Sequence, residues 1–134
     1  AVFSANEFEF NLNGASTVVF NSDNTSANIS ANFLGGSAQA IGSKSIWNFY
    51  AATSLTINYQ WGGSVLAPMA SFSNGNNIEG GVYVNTLTQN GEIHLQTFTG
   101  QIAAVPEPET YALMLTGLGL MGVMVRRRAR KLTA

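Results

Sequence analysis

SIWNFYAATSLTINYQWGGSVLAPMASFSNGNNIEGGVYVNTLTQNGEIHLQTFTG, residues 45–100, decides the fold class. Its apolar or alternating runs are short: Ile46-Trp47-Asn48-Phe49-Tyr50, Leu55-Thr56-Ile57-Asn58-Tyr59, Val82-Tyr83-Val84-Asn85 and Ile93-His94-Leu95. Gly62-Gly63, Asn74-Gly75, Gly80-Gly81 and Asn90-Gly91 separate them, and such runs closed by turn dipeptides read as strands. The same grammar extends upstream through Phe8-Glu9-Phe10-Asn11-Leu12 and Thr17-Val18-Val19-Phe20, with turns at Asn13-Gly14 and Gly35-Gly36. No window of ten or more residues in 1–104 shows helical periodicity, so this region reads as an all-β domain. Pro68 has no N–H to give a ladder and is expected at a strand end or an edge.

Two architectures fit these strands. A β-sandwich would alternate along each strand, whereas a right-handed β-solenoid would send Val, Ile, Leu and small residues into a narrow core once per coil. The apolar residues Val18, Ile46, Val65 and Val82 are separated by 28, 19 and 17 positions, which favours coils of uneven first length. Recurrent Asn at the turns serves turn formation first and offers side-chain ladders between coils second.

Composition narrows the chemistry. The 134 residues hold 14 Asn, 12 Ser and 11 Thr but no Cys, which removes disulfides, thiol catalysis and cysteine metal sites. One His and one Asp, 71 positions apart, would both be needed for a Ser-His-Asp site. Glu79 and Glu92 are a candidate glycosidase pair whose separation the sequence does not give, and a glycan-processing enzyme is the weakest of the functional readings. Glu92 and His94 share a face of one strand, an ordinary surface pair in want of further ligands, so neither a metal nor a cofactor is expected.

Charge is segregated rather than balanced. All seven acids lie at or before Glu109, and five of the six bases lie at or after Arg126. Between them Tyr111–Val125 reads YALMLTGLGLMGVMV, without a charge. As a helix these residues span about 22 Å, short of the ~30 Å hydrocarbon core. The flanks correct the deficit: Pro106 and Pro108 are expected to forbid extension of the helix upstream, Tyr111 suits an interface, and Arg126, Arg127, Arg128, Arg130 and Lys131 can snorkel and mark the cytoplasmic side. The expected layout is an exported β-rich domain at 1–104, a Pro-rich linker at 105–110, a single transmembrane helix at 111–125 and a basic cytoplasmic tail at 126–134. Leu113, Leu115, Gly117, Leu118, Gly119, Leu120, Gly122 and Val125, with Tyr111, form the expected membrane anchor. Every face of this helix is apolar, unlike a core helix, and bases stacked behind a lipid-soluble segment do not make a nucleic-acid arm. Residues 1–10, AVFSANEFEF, have no initiator Met, basic n-region or apolar core, so an export signal is expected to be removed or to lie upstream.

The string VPEPETYALMLTGLGLMGVMVRRRARK, residues 105–131, resembles a PEP-CTERM sorting signal: Pro106-Glu107-Pro108, a Gly-rich apolar helix and an arginine cluster, in that order. The resemblance implies export in a Gram-negative bacterium that makes exopolysaccharide, recognition by the membrane protease exosortase, and cleavage near the Pro-Glu-Pro. Residues 45–100 are similar to the C-terminal part of the choice-of-anchor A domain. The similarity rests on Trp47-Asn48-Phe49, Gly63-Ser64-Val65-Leu66-Ala67-Pro68 followed by Ala70, Asn77-Ile78-Glu79-Gly80, Gly91-Glu92-Ile93-His94, Phe98 and Gly100, while Met69 departs from it. That resemblance implies an ice-binding-like adhesive β-solenoid, N-terminally truncated here and with an uncapped end.

Together these readings imply a non-enzymatic cell-surface or extracellular-matrix protein that contacts exopolysaccharide or another surface. Ice binding through the Thr-x-Thr strings Thr86-Leu87-Thr88 and Thr97-Phe98-Thr99 is the alternative. Trp47, Tyr50, Tyr59, Trp61 and Tyr83 are candidates for a sugar-stacking platform, with Trp47 more strongly expected in the core.

Overall fold

The computed structural model describes residues 2–102 and 108–133. The chain divides into two units, Ala1–Ile102 and Ala103–Ala134. In the first, β1 (Glu7–Phe8), β2 (Val18–Asn21), β3 (Ser26–Ile29) and β4 (Asn32–Phe33) precede a short helix, α1 (Ser37–Gly42). There follow β5 (Ser45–Asn48), β6 (Ser54–Ile57), β7 (Trp61–Gly62), β8 (Ser64–Asn74), β9 (Ile78–Glu79), β10 (Val82–Gln89) and β11 (Ile93–His94). The second unit is one helix, α2 (Pro108–Leu132). The protein is therefore mostly β-sheet with one C-terminal apolar helix.

Every ladder among the described strands is parallel. The largest sheet runs β2-β5-β8-β6-β3 with β10 added on β8; a second runs β11-β9-β7, and β1 pairs with β4. Parallel neighbours need a connection that returns the chain to the same end, and here the returns are short and nearly constant. Trp47 pairs with Val65 and Val65 with Val82; Leu55 pairs with Phe72 and Phe72 with Leu87. The first return is longer, joining Phe20 to Trp47, because α1 and the tight turn Leu34–Gly36 are inserted in it. The uneven first interval in the sequence thus has a cause that six helical residues were too few to announce.

The registers correct two expectations. Val18 pairs with Ser45 and Ile46 with Ser64, one position away from the expected apolar alignment, while Trp47 turns inward as expected of it. A one-residue slip exchanges the faces of a strand, which is why Ile46 is only half-buried. Pro68 stands within β8, in the middle of the largest sheet. It is tolerated because residues 68–70 fall between the two ladder segments: Ala67 pairs with Val84, Ser71 pairs with Thr86, and the register shifts between them. No ladder bond is asked of Pro68.

The core is aromatic. Trp47 and Trp61 are buried with ring centroids 4.6 Å apart, and Phe20 stacks on Trp47 at 3.9 Å. Phe8 and Phe33 close against Trp61, and Leu55, Ile57, Phe72 and Ile78 extend the core. Trp47 Nε1 donates to Gly62 O at 2.8 Å, so its polar edge is satisfied. Gly62 itself lies against the backbone of Ala38, where a Cβ would collide, and this close approach seats α1 on the stack.

Candidate functional site

The triplet that builds the surface is small-polar, apolar, small-polar. It occurs as Ser26-Ala27-Asn28, Ser54-Leu55-Thr56, Ser71-Phe72-Ser73 and Thr86-Leu87-Thr88. In a strand the central residue points to one face and its neighbours to the other, so Leu55 and Phe72 enter the core and the polar pairs face out. The ladders put the four triplets in register, giving one column of Ser26, Ser54, Ser71 and Thr86 and a second of Asn28, Thr56, Ser73 and Thr88. Strand geometry fixes the lattice at about 4.8 Å between strands and about 6.7 Å between the columns. The result is an uncharged array of seven hydroxyls and one amide, exposed except for Thr56 and Ser73, which are half-buried. Hydrogen bonds brace its margins: Asn58 Nδ2 donates to Asn28 Oδ1 at 2.7 Å and Ser30 Oγ at 2.9 Å, and Asn90 Nδ2 donates to Ser73 Oγ at 3.2 Å.

Of the two Thr-x-Thr strings, Thr86 and Thr88 belong to this array. Thr97 and Thr99 lie outside any strand, and Thr99 is spent on Ser43 O, to which its backbone N–H donates at 2.8 Å. The Ser and Asn members of the array are not among the sequence candidates, where only the Thr-x-Thr strings stand out and Asn is assigned to turns; recurrence of the triplet is the signal that finds them. Asparagine ladders also form, with Asn48 Nδ2 donating to Asn21 Oδ1 at 2.8 Å. The aromatic platform does not exist as expected: Trp47 and Trp61 are core, and Tyr50, Tyr59 and Tyr83 alone are exposed.

Glu79 and Glu92 meet through His94. His94 Nδ1 lies 2.9 Å from Glu79 Oε1 and Nε2 lies 2.9 Å from Glu92 Oε2. Gln60 Nε2 donates to Glu79 Oε1 at 2.9 Å, which leaves that buried carboxylate well supplied with donors. The hydrogen bond to Glu92, then that to Glu79, raises the His94 pKa above its ordinary value. Both acids are occupied by the imidazole, so they do not form an open acid–base pair, and the bridge fastens β11 to β9. Asp23 makes no contact with this His; it lies on the loop after β2. Among the described residues no group of three His, Cys, Asp or Glu is placed to hold a metal ion.

Helix α2 begins at Pro108 and continues through the bases to Leu132, longer at both ends than the expected 111–125. Pro fits the first helical turn, where its missing N–H has no partner to lose. Its 25 residues include an apolar window, and it is the one helix among the described residues long and apolar enough to cross a membrane. No residue of it is buried, and Thr116 Oγ1 donates to Ala112 O at 2.7 Å, closing its polar group within the helix. Arg126, Arg127, Arg128, Arg130 and Lys131 occupy its last turns. Pro106 and Glu107 lie outside the described residues.

Residues 1–95 match the family model of an ice-binding-like adhesive domain. The chain belongs to this ice-binding-like adhesive family. The adhesive domain takes in β1–β4 and α1 as well as the part from residue 45 onward, and its match ends one residue after β11. Residues 104–128 match the PEP-CTERM protein-sorting motif, which spans the Pro-Glu-Pro, the apolar part of α2 and its first three arginines. Neither match is to an enzyme family. No curated protein and no solved structure matches this adhesive-domain chain.

Proposed function

We propose that this chain is a non-enzymatic, adhesin-like protein of the cell surface or extracellular matrix, whose β domain is a right-handed solenoid presented by a C-terminal sorting helix. The adhesive family and the sorting motif together support an exported surface protein. Parallel ladders at near-constant intervals favour a solenoid over a sandwich, whose sheets are built from antiparallel strands.

The observation that carries the adhesive reading is the two-column array of Ser, Thr and Asn on the face of the largest sheet. Exopolysaccharide offers hydroxyls at short intervals, and an uncharged lattice of donors and acceptors can exchange hydrogen bonds with it. Each contact is weak in water, so affinity would come from many contacts on many displayed copies. The test is binding of the purified chain to cells, matrix polysaccharide and glycan arrays, with Thr86→Val/Thr88→Val as the comparison. Binding that the double variant loses supports the array; equal binding by both, or none to any surface, contradicts it.

The same lattice supports ice binding as a second reading, because its regular spacing can order water. Thermal hysteresis and ice recrystallisation assays separate the two.

The membrane segment of the proposal follows from α2. An apolar helix with no buried residue needs a cover, and lipid suits a segment whose backbone is internally bonded. At about 1.5 Å per residue its full length is about 37 Å, enough for the ~30 Å hydrocarbon core once the basic end snorkels. We read it as a single-pass anchor in a Gram-negative membrane, basic end cytoplasmic, held until exosortase cleaves near Pro106-Glu107-Pro108. Replacing these three residues with Ala should leave a membrane-bound, unprocessed form, and unchanged release would contradict the role.

A further inference from the structure

Among the described residues, β10 pairs with β8 on one side and with no strand on the other, so a row of its backbone N–H and C=O groups is open. The described residues that follow β10 in the same unit, up to Ile102, do not fill this row. They run back along the domain, where Thr99 N–H donates to Ser43 O at 2.8 Å and Gln101 N–H donates to Thr17 Oγ1 at 2.9 Å. The other end of the stack has an aromatic cover: Phe3 on Phe49, Phe8 on Phe33 and Phe10 on Phe20, at centroid distances of 5.3, 5.6 and 5.5 Å. At the β10 end the described residues of this unit provide no such cover: Leu87 is 42% exposed while its ladder partner Phe72 is 2% exposed. Among the described residues, the open end of the stack is therefore the one at β10.

An occupant must bring a strand for the backbone and must match side chains facing in and out. The pattern along Val82–Gln89 is unusual in that it reads the same in both directions. Val82, Val84, Leu87 and Gln89 lie opposite the buried Val65, Ala67, Phe72 and Asn74 and so face inward. Tyr83, Asn85, Thr86 and Thr88 are exposed, and the register shift between Val84 and Thr86 sets two outward residues side by side. The order is in, out, in, out, out, in, out, in, a palindrome centred between Asn85 and Thr86.

We infer that β10 pairs antiparallel with β10 of a second copy of this chain, about a two-fold axis between Asn85 and Thr86. Val82 then meets Gln89 of the second copy, Val84 meets Leu87, Tyr83 meets Thr88 and Asn85 meets Thr86, inward on inward and outward on outward. A shift by one residue would set inward side chains against outward ones. The strand VYVNTLTQ carries no charge, so self-pairing meets no like-charge repulsion. One open end and one covered end make a closed pair rather than a growing fibre. Eight paired residues are a small interface, so the dimer is reversible and concentration-dependent.

The chain contains no cysteine, which allows a register-specific test. Full chain carrying Tyr83→Cys is mixed in detergent micelles with chain carrying Thr88→Cys and mildly oxidised. Opposed Cα atoms at about 4.5–5.5 Å fall within disulfide reach, whereas the two Tyr83 positions of a pair would be about 17 Å apart. The mixture should cross-link at least about tenfold more than either variant alone, and adding Leu87→Lys to both should lower the yield about tenfold with far-UV circular dichroism unchanged. Sedimentation equilibrium of the unsubstituted chain should show monomer and dimer. Equal cross-linking in every combination, as association through α2 would give, overturns the inference; so does a chain that is monomeric at every concentration, or one that forms higher oligomers.

Discussion

Replacing Trp47 with Ala tests whether the parallel stack is held at the point the structure implies. The indole is 2% exposed and stacks on Phe20 at 3.9 Å, packs on Trp61 at 4.6 Å and contacts Phe8 and Phe10. Removing a buried aromatic ring of this kind costs about 3–5 kcal/mol. Its N–H also donates to Gly62 O at 2.8 Å, and leaving that carbonyl unpaired adds about 1–3 kcal/mol. Against a domain stability of about 5–15 kcal/mol, the combined loss removes a large share and unfolds the domain at the lower end of that range. Trp47→Phe keeps most of the apolar volume and should cost about 1–3 kcal/mol, mainly through the orphaned carbonyl. Tyr83→Ala, at a position 62% exposed, should change stability by no more than about 0.5 kcal/mol. Urea unfolding of the full chain in detergent, followed by far-UV circular dichroism, ranks the three. If Trp47→Ala cost less than about 1 kcal/mol, or no more than Tyr83→Ala, the inward placement of β5 would be refuted.

Thr86→Val/Thr88→Val should abolish surface binding while shifting stability by less than about 0.5 kcal/mol, because both side chains are exposed; a matching loss of stability would count against a binding role. His94 has a raised folded pKa, so its contribution to stability is fully present below the unfolded value near 6.5 and is lost as pH rises through the folded value. Melting temperature should therefore fall from about pH 6 to about pH 8 in the parent and stay level over the same range in His94→Gln, and parallel curves would contradict the bridge. Gly62→Val should prevent α1 from docking, because the backbone of Ala38 lies where a side chain would begin, and loss of α1 amide protection in hydrogen exchange is the readout.

Much of the fold was legible because the alternation of Leu55-Thr56-Ile57 and Val82-Tyr83-Val84 and the Gly and Asn pairs between runs report local backbone demands. Register was less legible. Trp47 is expected in the core and packs there against Phe20 and Trp61, but the apolar series Val18, Ile46 and Val65 misplaces the alignment, because Val18 pairs with Ser45 and Ile46 with Ser64. The strand β8 was hidden by Pro68, whose usual penalty vanishes at the interruption of the ladder. Helix α1 was hidden by its length of six residues. The polar array was half visible, since Thr86 and Thr88 stood out by composition but Ser26, Ser54 and Ser71 join them only through pairings between distant residues. The bridge between Glu79 and His94 has the same origin: residues 15 apart in sequence become neighbours because β9 and β11 pair in parallel.

In the proposed layout the β domain of this chain reaches the outer side of a membrane while the basic end of α2 stays behind. Its most direct measurement is protease accessibility of the native gene product, with one epitope within residues 1–102 and another after Lys131, in intact spheroplasts and in inverted vesicles. The first epitope should be digested in spheroplasts and protected in inverted vesicles, with the second behaving oppositely before processing. An intact product recovered from the cytosol, or both epitopes digested only in inverted vesicles, would contradict it.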